Sequence, residues 1–173
     1  MTIPEFYDYL VRARRDLWDV LATVPDDVAS APIPGGAWSC LKDLILHTAA
    51  AEDSWVHEDV QRIAPILASN EALRDLTETT VRTAPIEALL DYWRAVEAST
   101  LAYLHDVGEH ELRRTMTPHD DPDTVLVVHD VLWHVMIHEV RHTAQIASFL
   151  RAEGIRPPAL DLLYFLPLRS PPA

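Results

Sequence analysis

The sequence predicts an all-α protein built from four long helices, on three observations. Thirteen prolines stand against only four glycines, and proline is tolerated at helix starts and in loops but not in helix interiors. Four segments between the proline-marked connections repeat apolar residues at helical spacing. No segment keeps the strict alternation of a half-buried strand over more than a few residues. At 173 residues, 49% of them apolar, we expect one domain, residues 1–173.

The first helix begins near Thr2, because Thr2 and Glu5 fit a capping box. Its apolar positions recur at helical spacing and are Phe6, Leu10, Ala13, Leu17, Val20, Leu21 and Val24. The second helix follows a loop at residues 31–36, with Ser39 as its expected N-cap. Its apolar and small positions continue to about residue 64.

The third helix follows a polar stretch, residues 69–83, that has room for one short helix but little apolar pattern. Pro85 introduces this helix, and its apolar positions end near Gly108. Its members at helical spacing are Ile86, Leu89, Leu90, Trp93, Val96, Leu101 and Leu104.

The fourth helix is the longest, about residues 123–153, and follows an acidic loop at residues 119–123. Gly154 ends it, with two prolines just beyond. The tail, residues 157–173, has apolar residues at Tyr164, Phe165 and Leu166. We therefore expect the tail to pack on the bundle or on a partner.

Charge and composition argue against several classes of function. The chain has 14 basic and 27 acidic residues and a net charge of −13, which repels phosphate backbones and anionic lipids. No apolar stretch approaches the roughly 20 residues that span a bilayer. The single cysteine cannot form an internal disulfide, and the N-terminus lacks a signal-peptide pattern. We expect a cytoplasmic protein with neither a nucleic-acid nor a membrane partner.

Three histidines of the fourth helix form a stripe. His134, His138 and His142 are offset by about 40° each on a helical wheel, on an apolar face that points inward. His47 of the second helix has small alanines beside it. Imidazoles hold first-row metals at about 2.0–2.1 Å. His47 together with the His138/His142 pair would supply three ligands and leave one to three positions open.

The stretch HEVRH, residues 138–142, also matches the H-E-x-x-H motif of metalloproteases. The extended form of that motif fails, because Gln145 stands in place of its glycine and Ser148 in place of its third histidine. No glutamate ligand follows on a later helix, and no edge strand for a substrate is predicted. We disfavour a protease and interpret Glu139 as a solvated or interhelical carboxylate.

Other polar residues near the stripe have two interpretations each. Arg141 lies about 20° from His134 on the wheel and could attract a carboxylate or the anionic end of a thiol cofactor, or it could form a salt bridge with Asp130 or another acidic neighbour. Asp43, Ser54 and Glu58 point within about 40° of His47; interhelical packing or exposure is favoured over a role as base. Cys40 is interpreted as a buried, inert thiol.

The sequence resembles the DinB/YfiT-like metalloenzyme family at residues 38–47, 134–146 and 150–158. The resemblance implies an antiparallel four-helix bundle with one long crossover connection, often dimeric, and a divalent metal on His47, His138 and His142. It places His134 in the outer shell or on the substrate side. Two departures are Arg141, where a second histidine is common, and Thr143 with Ala144, where many members have Arg-Gly.

The functional hypothesis is a divalent-metal-dependent transferase or hydrolase that acts on a small electrophile. Related branches use low-molecular-weight thiols, and a metal lowers the pKa of a bound thiol or water. Zinc or nickel is the expected metal, a homodimer the expected assembly, and His134 and Arg141 are the catalytic candidates. The alternative is a non-catalytic, stress-responsive metal-binding bundle, whose closed site would lack an open coordination position. Ferritin-type di-metal chemistry is disfavoured, because its repeated Glu-x-x-His motif is missing.

Overall fold

The first long helix begins with the predicted capping box. In the computed structural model, which describes residues 1–33 and 37–166, α1 spans Ile3–Leu21. The Thr2 hydroxyl accepts from the Glu5 amide at 3.4 Å, and the Glu5 carboxylate accepts from the Thr2 amide at 2.6 Å. A short helix that the sequence did not predict, α2 at Asp26–Ser30, follows. Residues 34–36 of the predicted loop lie outside the described residues, and so do residues 167–173 of the predicted tail.

The second predicted helix consists of an α-helical part followed by a π-helical part. It runs as α3, Leu41–Asp53, and continues without a break as a π-helix, Ser54–Gln61. The predicted cap at Ser39 is wrong, because Cys40 is the N-cap residue and makes no side-chain cap. The Ser39 hydroxyl instead donates to the carbonyl of Glu78 at 2.8 Å.

The polar stretch between the second and third long helices contains little regular structure. It follows the short helix α4, Ile66–Ser69, and includes one turn of 3-10 helix, Val81–Thr83. Pro85 is the N-cap residue of α5, Ile86–Asp106, so the third helix begins where the sequence predicts it.

The fourth long helix begins later than predicted. After α6, Glu109–Leu112, the two-residue strands β1, Thr115–Met116, and β2, Leu126–Val127, pair antiparallel. Only then does α7, Val128–Ala152, begin. The prediction of helix from residue 123 and of no strand is therefore wrong at this junction, where branched residues favour extended backbone. Gly154, with φ of +74°, ends the chain's last long helix as predicted.

The four long helices form the predicted four-helix bundle. α1 and α3 each pack against both α5 and α7, so α3 and α7 are neighbours. The connection from α5 to α7 contains α6, β1 and β2. None of the described helices is both long and apolar enough to cross a membrane.

The core consists of two apolar clusters with a charged layer between them. One cluster includes Leu17, Leu44 and Trp93, and the other includes Tyr7 and Val131. Between them the arginine of α1 forms ion pairs with one buried glutamate from each of the other three long helices. These residues are Arg14, Glu52, Glu97 and Glu139. At the end of the described chain, Tyr9 donates from its hydroxyl to the carbonyl of Leu160 at 2.5 Å.

Candidate metal centre

Three of the predicted histidines converge in the groove between α3 and α7. Nε2 of His138 lies 3.3 Å from Nε2 of His47 and 3.0 Å from Nε2 of His142. One ligand atom from each ring can be chosen so that all three lie within 4.8 Å of one another. His142 is buried, whereas His47 and His138 are half-buried. The cluster therefore has one side in the protein and one side open to solvent.

The position of the cluster follows from local structure. His138 and His142 are four residues apart on α7 and share one face of that helix. His47 projects from the neighbouring helix, where the half-buried Ala50 and Ala51 leave space beside it. Trp38 closes one side, with its ring centroid 4.3 Å from that of His47 and 5.3 Å from that of His142.

A side-chain hydrogen bond orients one of the rings. Nδ1 of His142 lies 2.7 Å from Oε1 of Gln145. The amide oxygen can only accept, so Nδ1 carries the proton and Nε2 presents its lone pair to the cluster. A partner of this kind fixes the tautomer and orientation of a metal-ligating histidine.

The three rings are held in their neutral form at neutral pH. Burial lowers the pKa of His138 to about 4, helped by the neighbouring His142 and His47. Burial likewise lowers the pKa values of His47 and His142. A neutral imidazole is the form that binds a metal.

The distances fit a first-row metal ion. With nitrogen ligands at about 2.0–2.1 Å, two ligand atoms are about 2.9 Å apart at a right angle and about 3.4 Å apart at the tetrahedral angle. The observed separations of 3.0 and 3.3 Å from Nε2 of His138 lie between these values. The donor set therefore fits a divalent transition metal.

The two catalytic candidates lie near the cluster but outside it. His134 is exposed, one turn before His138, with its ring centroid 5.9 Å from that of His138. Arg141 is exposed as well, and its charge contributes to the lowered pKa values of His47 and His142. Among the described residues Arg141 has no ion-pair partner, and Asp130 instead contacts His129 at 2.9 Å. The alternative interpretation of Arg141 as the partner of Asp130 is wrong.

Glu139 is an interhelical carboxylate, one of its two predicted interpretations. Nε and Nη2 of Arg14 donate to its two oxygens at 2.8 and 2.5 Å, and both side chains are buried. Both carboxylate oxygens are therefore bound by a guanidinium and are not free to activate a water, as the protease motif would require.

The remaining polar candidates have structural partners. The Asp43 carboxylate accepts from the Ser39 amide at 2.8 Å at the start of α3. Ser54 donates to Glu58 at 3.0 Å. Cys40 is fully buried, as predicted.

Sequence reasoning missed two polar networks. Arg14 stands four residues after Leu10 and three before Leu17 on an apolar stripe. A charged residue on that stripe could have indicated a buried ion pair. The second network joins the π-helix to α5, because His57 contacts Asp53 at 2.6 Å through Nδ1 and Ser99 at 2.7 Å through Nε2. Ser99 lies 42 residues after His57, and no motif indicated the contact.

Comparisons with known proteins agree with this fold. The model of the DinB family matches residues 1–170, and no curated protein matches the chain. A conserved protein from Enterococcus faecalis is 20% identical over 87% of this chain and 96% of its own, with a TM-score of 0.70. YfiT from Bacillus subtilis, described as a probable metal-dependent hydrolase with an unusual four-helix bundle topology, is 17% identical over 88% of both chains, with a TM-score of 0.65.

A third solved structure, a DinB-like protein (YjoA) from Bacillus subtilis, is 14% identical over 90% of this chain and 96% of its own, with a TM-score of 0.59. At these identities the solved structures show a shared fold and nothing more about chemistry.

Proposed function

Because the chain belongs to the DinB family, we propose that it is an enzyme that depends on a divalent transition metal held by His47, His138 and His142. The observation that carries the proposal is the convergence of three neutral imidazoles from two helices. Zinc or nickel is the proposed metal, since imidazole suits both.

The reaction we propose is transfer or hydrolysis on a small electrophile, with a low-molecular-weight thiol as the nucleophile in the transfer reaction. A divalent ion on three neutral ligands keeps its full charge and lowers the pKa of a thiol or water at an open position. Gln145 keeps Nε2 of His142 directed at the ion. The exposed guanidinium of Arg141 attracts an anionic group of the thiol or substrate.

The half-exposed faces of His47 and His138 favour an enzyme over a closed structural site. The alternative, a stress-responsive bundle that binds metal without turnover, has the same ligands. YfiT, described as a probable metal-dependent hydrolase, makes hydrolysis the reaction to test beside thiol transfer. A homodimer and a cytoplasmic location remain predictions.

The test is a pair of assays on the full chain loaded with zinc or nickel. One measures transfer of a small thiol such as cysteine to 1-chloro-2,4-dinitrobenzene, and the other measures hydrolysis of 4-nitrophenyl acetate. We expect one rate to depend on the metal, to vanish in His142→Ala and to persist in His129→Ala, which removes an exposed histidine outside the cluster. Equal rates in the loaded and chelated protein would leave only the non-catalytic alternative.

A further inference from the structure

An apolar cavity lies beside His134, one turn of α7 before His138 of the histidine cluster. Its volume is about 290 Å³, and its walls are almost entirely apolar. The residues that line it are Trp55, Leu126, Asp130, Val131 and His134. Neither the family match nor the solved structures assign it a role.

The cavity is formed where three different structural elements meet. Trp55 comes from the π-helix, Leu126 from β2, and Val131 from α7. The π-helix and β2 both depart from regular α-helix. π-helical segments are rare and often occur at functional sites.

The cavity is connected to the cluster through one side chain. The ring of His134 is 5.4 Å from the ring of Trp55 on the cavity side and 5.9 Å from the ring of His138 on the cluster side, measured between centroids. A molecule seated in the cavity would therefore reach the half-exposed His138 with a substituent that extends past the ring of His134.

We propose that this cavity is the subsite for a neutral, apolar part of the substrate, such as one aromatic ring or a branched aliphatic group of similar size. The assignment rests on the proposed function, because it makes the cluster the reacting centre. An apolar cavity of about 150 Å³ is large enough to bind benzene. A cavity of about 290 Å³ accommodates such a ring with a short substituent.

Charge around the cavity favours a neutral group. Asp130 is the one carboxylate among the described residues that line it, and the chain carries a net charge of −13. An anionic group of the substrate is repelled here and is better placed towards Arg141, on the other side of His138 along α7. The substrate class is thus a small electrophile with an apolar end.

The experiment measures binding of 4-fluorobenzyl alcohol to the full chain by fluorine NMR, with the protein loaded with cobalt or with zinc. We expect a dissociation constant on the order of 1 mM, and faster relaxation of the bound fluorine in the cobalt protein, because cobalt is paramagnetic. 2-Fluoroethanol, which has the hydroxyl but no ring, serves as the control probe and should not bind.

Two variants fill the cavity, Val131→Phe and Leu126→Phe, and the matched control is Ile137→Phe on the exposed face of α7. We expect at least one folded filling variant to weaken binding by about tenfold or more with its metal content unchanged, and the control to bind like wild type. Wild-type affinity in every folded filling variant would overturn the proposal.

The same samples separate the two proposals. Binding of the ring without faster relaxation, in protein that elemental analysis shows to hold cobalt, would overturn the subsite while leaving the metal site intact. Absence of both cobalt and zinc from the wild type would overturn the proposed function, and the filling variants would still decide whether the cavity accepts the ring.

Discussion

Gln145, which is not one of the three candidate ligands, orients the ring of His142. It accepts from Nδ1 of His142 at 2.7 Å, so the lone pair of Nε2 stays directed at the other two rings. His142 is the most buried of the three, and without this partner its ring could rotate or change tautomer. The orientation of this candidate ligand is thus fixed by a side chain outside the cluster.

We expect Gln145→Leu to weaken metal binding by about 10–100-fold, because that is the usual effect of losing such a partner. Competition with a chromophoric chelator measures the affinity. Ser148→Ala, an exposed change three residues further along α7, is the control. An unchanged affinity in Gln145→Leu would mean that packing alone orients His142.

The lowered pKa of His138 makes the stability of the metal-free protein depend on pH. In the unfolded chain this histidine titrates near 6.5, and in the folded protein burial lowers its pKa to about 4. Between these values the unfolded state binds more protons, so stability falls as the pH decreases through this window.

We therefore expect His138→Gln to lose less stability than the wild type when the pH falls from about 7 to about 4.5, across the window between the two pKa values. Urea unfolding of both proteins in the presence of a chelator measures the difference. Parallel losses in the two proteins would show that His138 is not held neutral in the folded state.

At the scale of elements, the sequence predicted the four long helices and the histidine face but not the junctions. The spacing of apolar residues and the positions of the prolines predict α1, α5 and most of α7, because both patterns depend only on neighbouring residues in the sequence. The π-helix keeps an apolar pattern close to that of an α-helix, so spacing does not reveal it. β1 and β2 depend on pairing between residues 115–116 and 126–127, which no local pattern contains.

The sequence likewise predicts some features of the candidate site and not others. Spacing predicts that His138 and His142 share a face, and the small residues beside His47 make it a candidate partner. The contacts of Trp38 and of Arg14 depend on which helices become neighbours. The cavity beside His134 depends on β2 and the π-helix, and therefore could not be predicted.

Arg14 links the helices that hold the histidines. Its guanidinium contacts Glu52 of α3 at 3.0 Å, Glu97 of α5 at 3.2 Å and Glu139 of α7 at 2.5 Å. Burial raises the pKa values of Glu97 and Glu139, while the charge of Arg14 opposes that shift. The arginine therefore compensates three buried carboxylates at once.

We expect Arg14→Met to lower the free energy of unfolding by about 3–5 kcal/mol, since removing one partner leaves buried charges uncompensated. Arg113→Met is the matched control, because Arg113 and its partner Glu109 are each 80% exposed, and should cost less than about 1 kcal/mol. Urea unfolding measures both, and similar small losses would show that the buried layer contributes little.

At the scale of the whole molecule, the bundle places its charged layer between two apolar clusters and its histidines at the same height. Glu139 follows His138 directly, and Glu52 lies five residues after His47. The contacts that fix α3 and α7 to the rest of the bundle are thus adjacent to the ligands. The separation of these helices determines whether the three imidazoles can share one ion.

The central claim is that the two helices hold one metal ion in common, and the metal-to-protein ratio tests it most directly. Elemental analysis of protein purified without a histidine tag and incubated with zinc or nickel should find about one ion per chain in the wild type and in His129→Ala. In His47→Ala and in His142→Ala we expect most of that metal to be lost. Equal metal contents in the wild type and both cluster variants would contradict the claim.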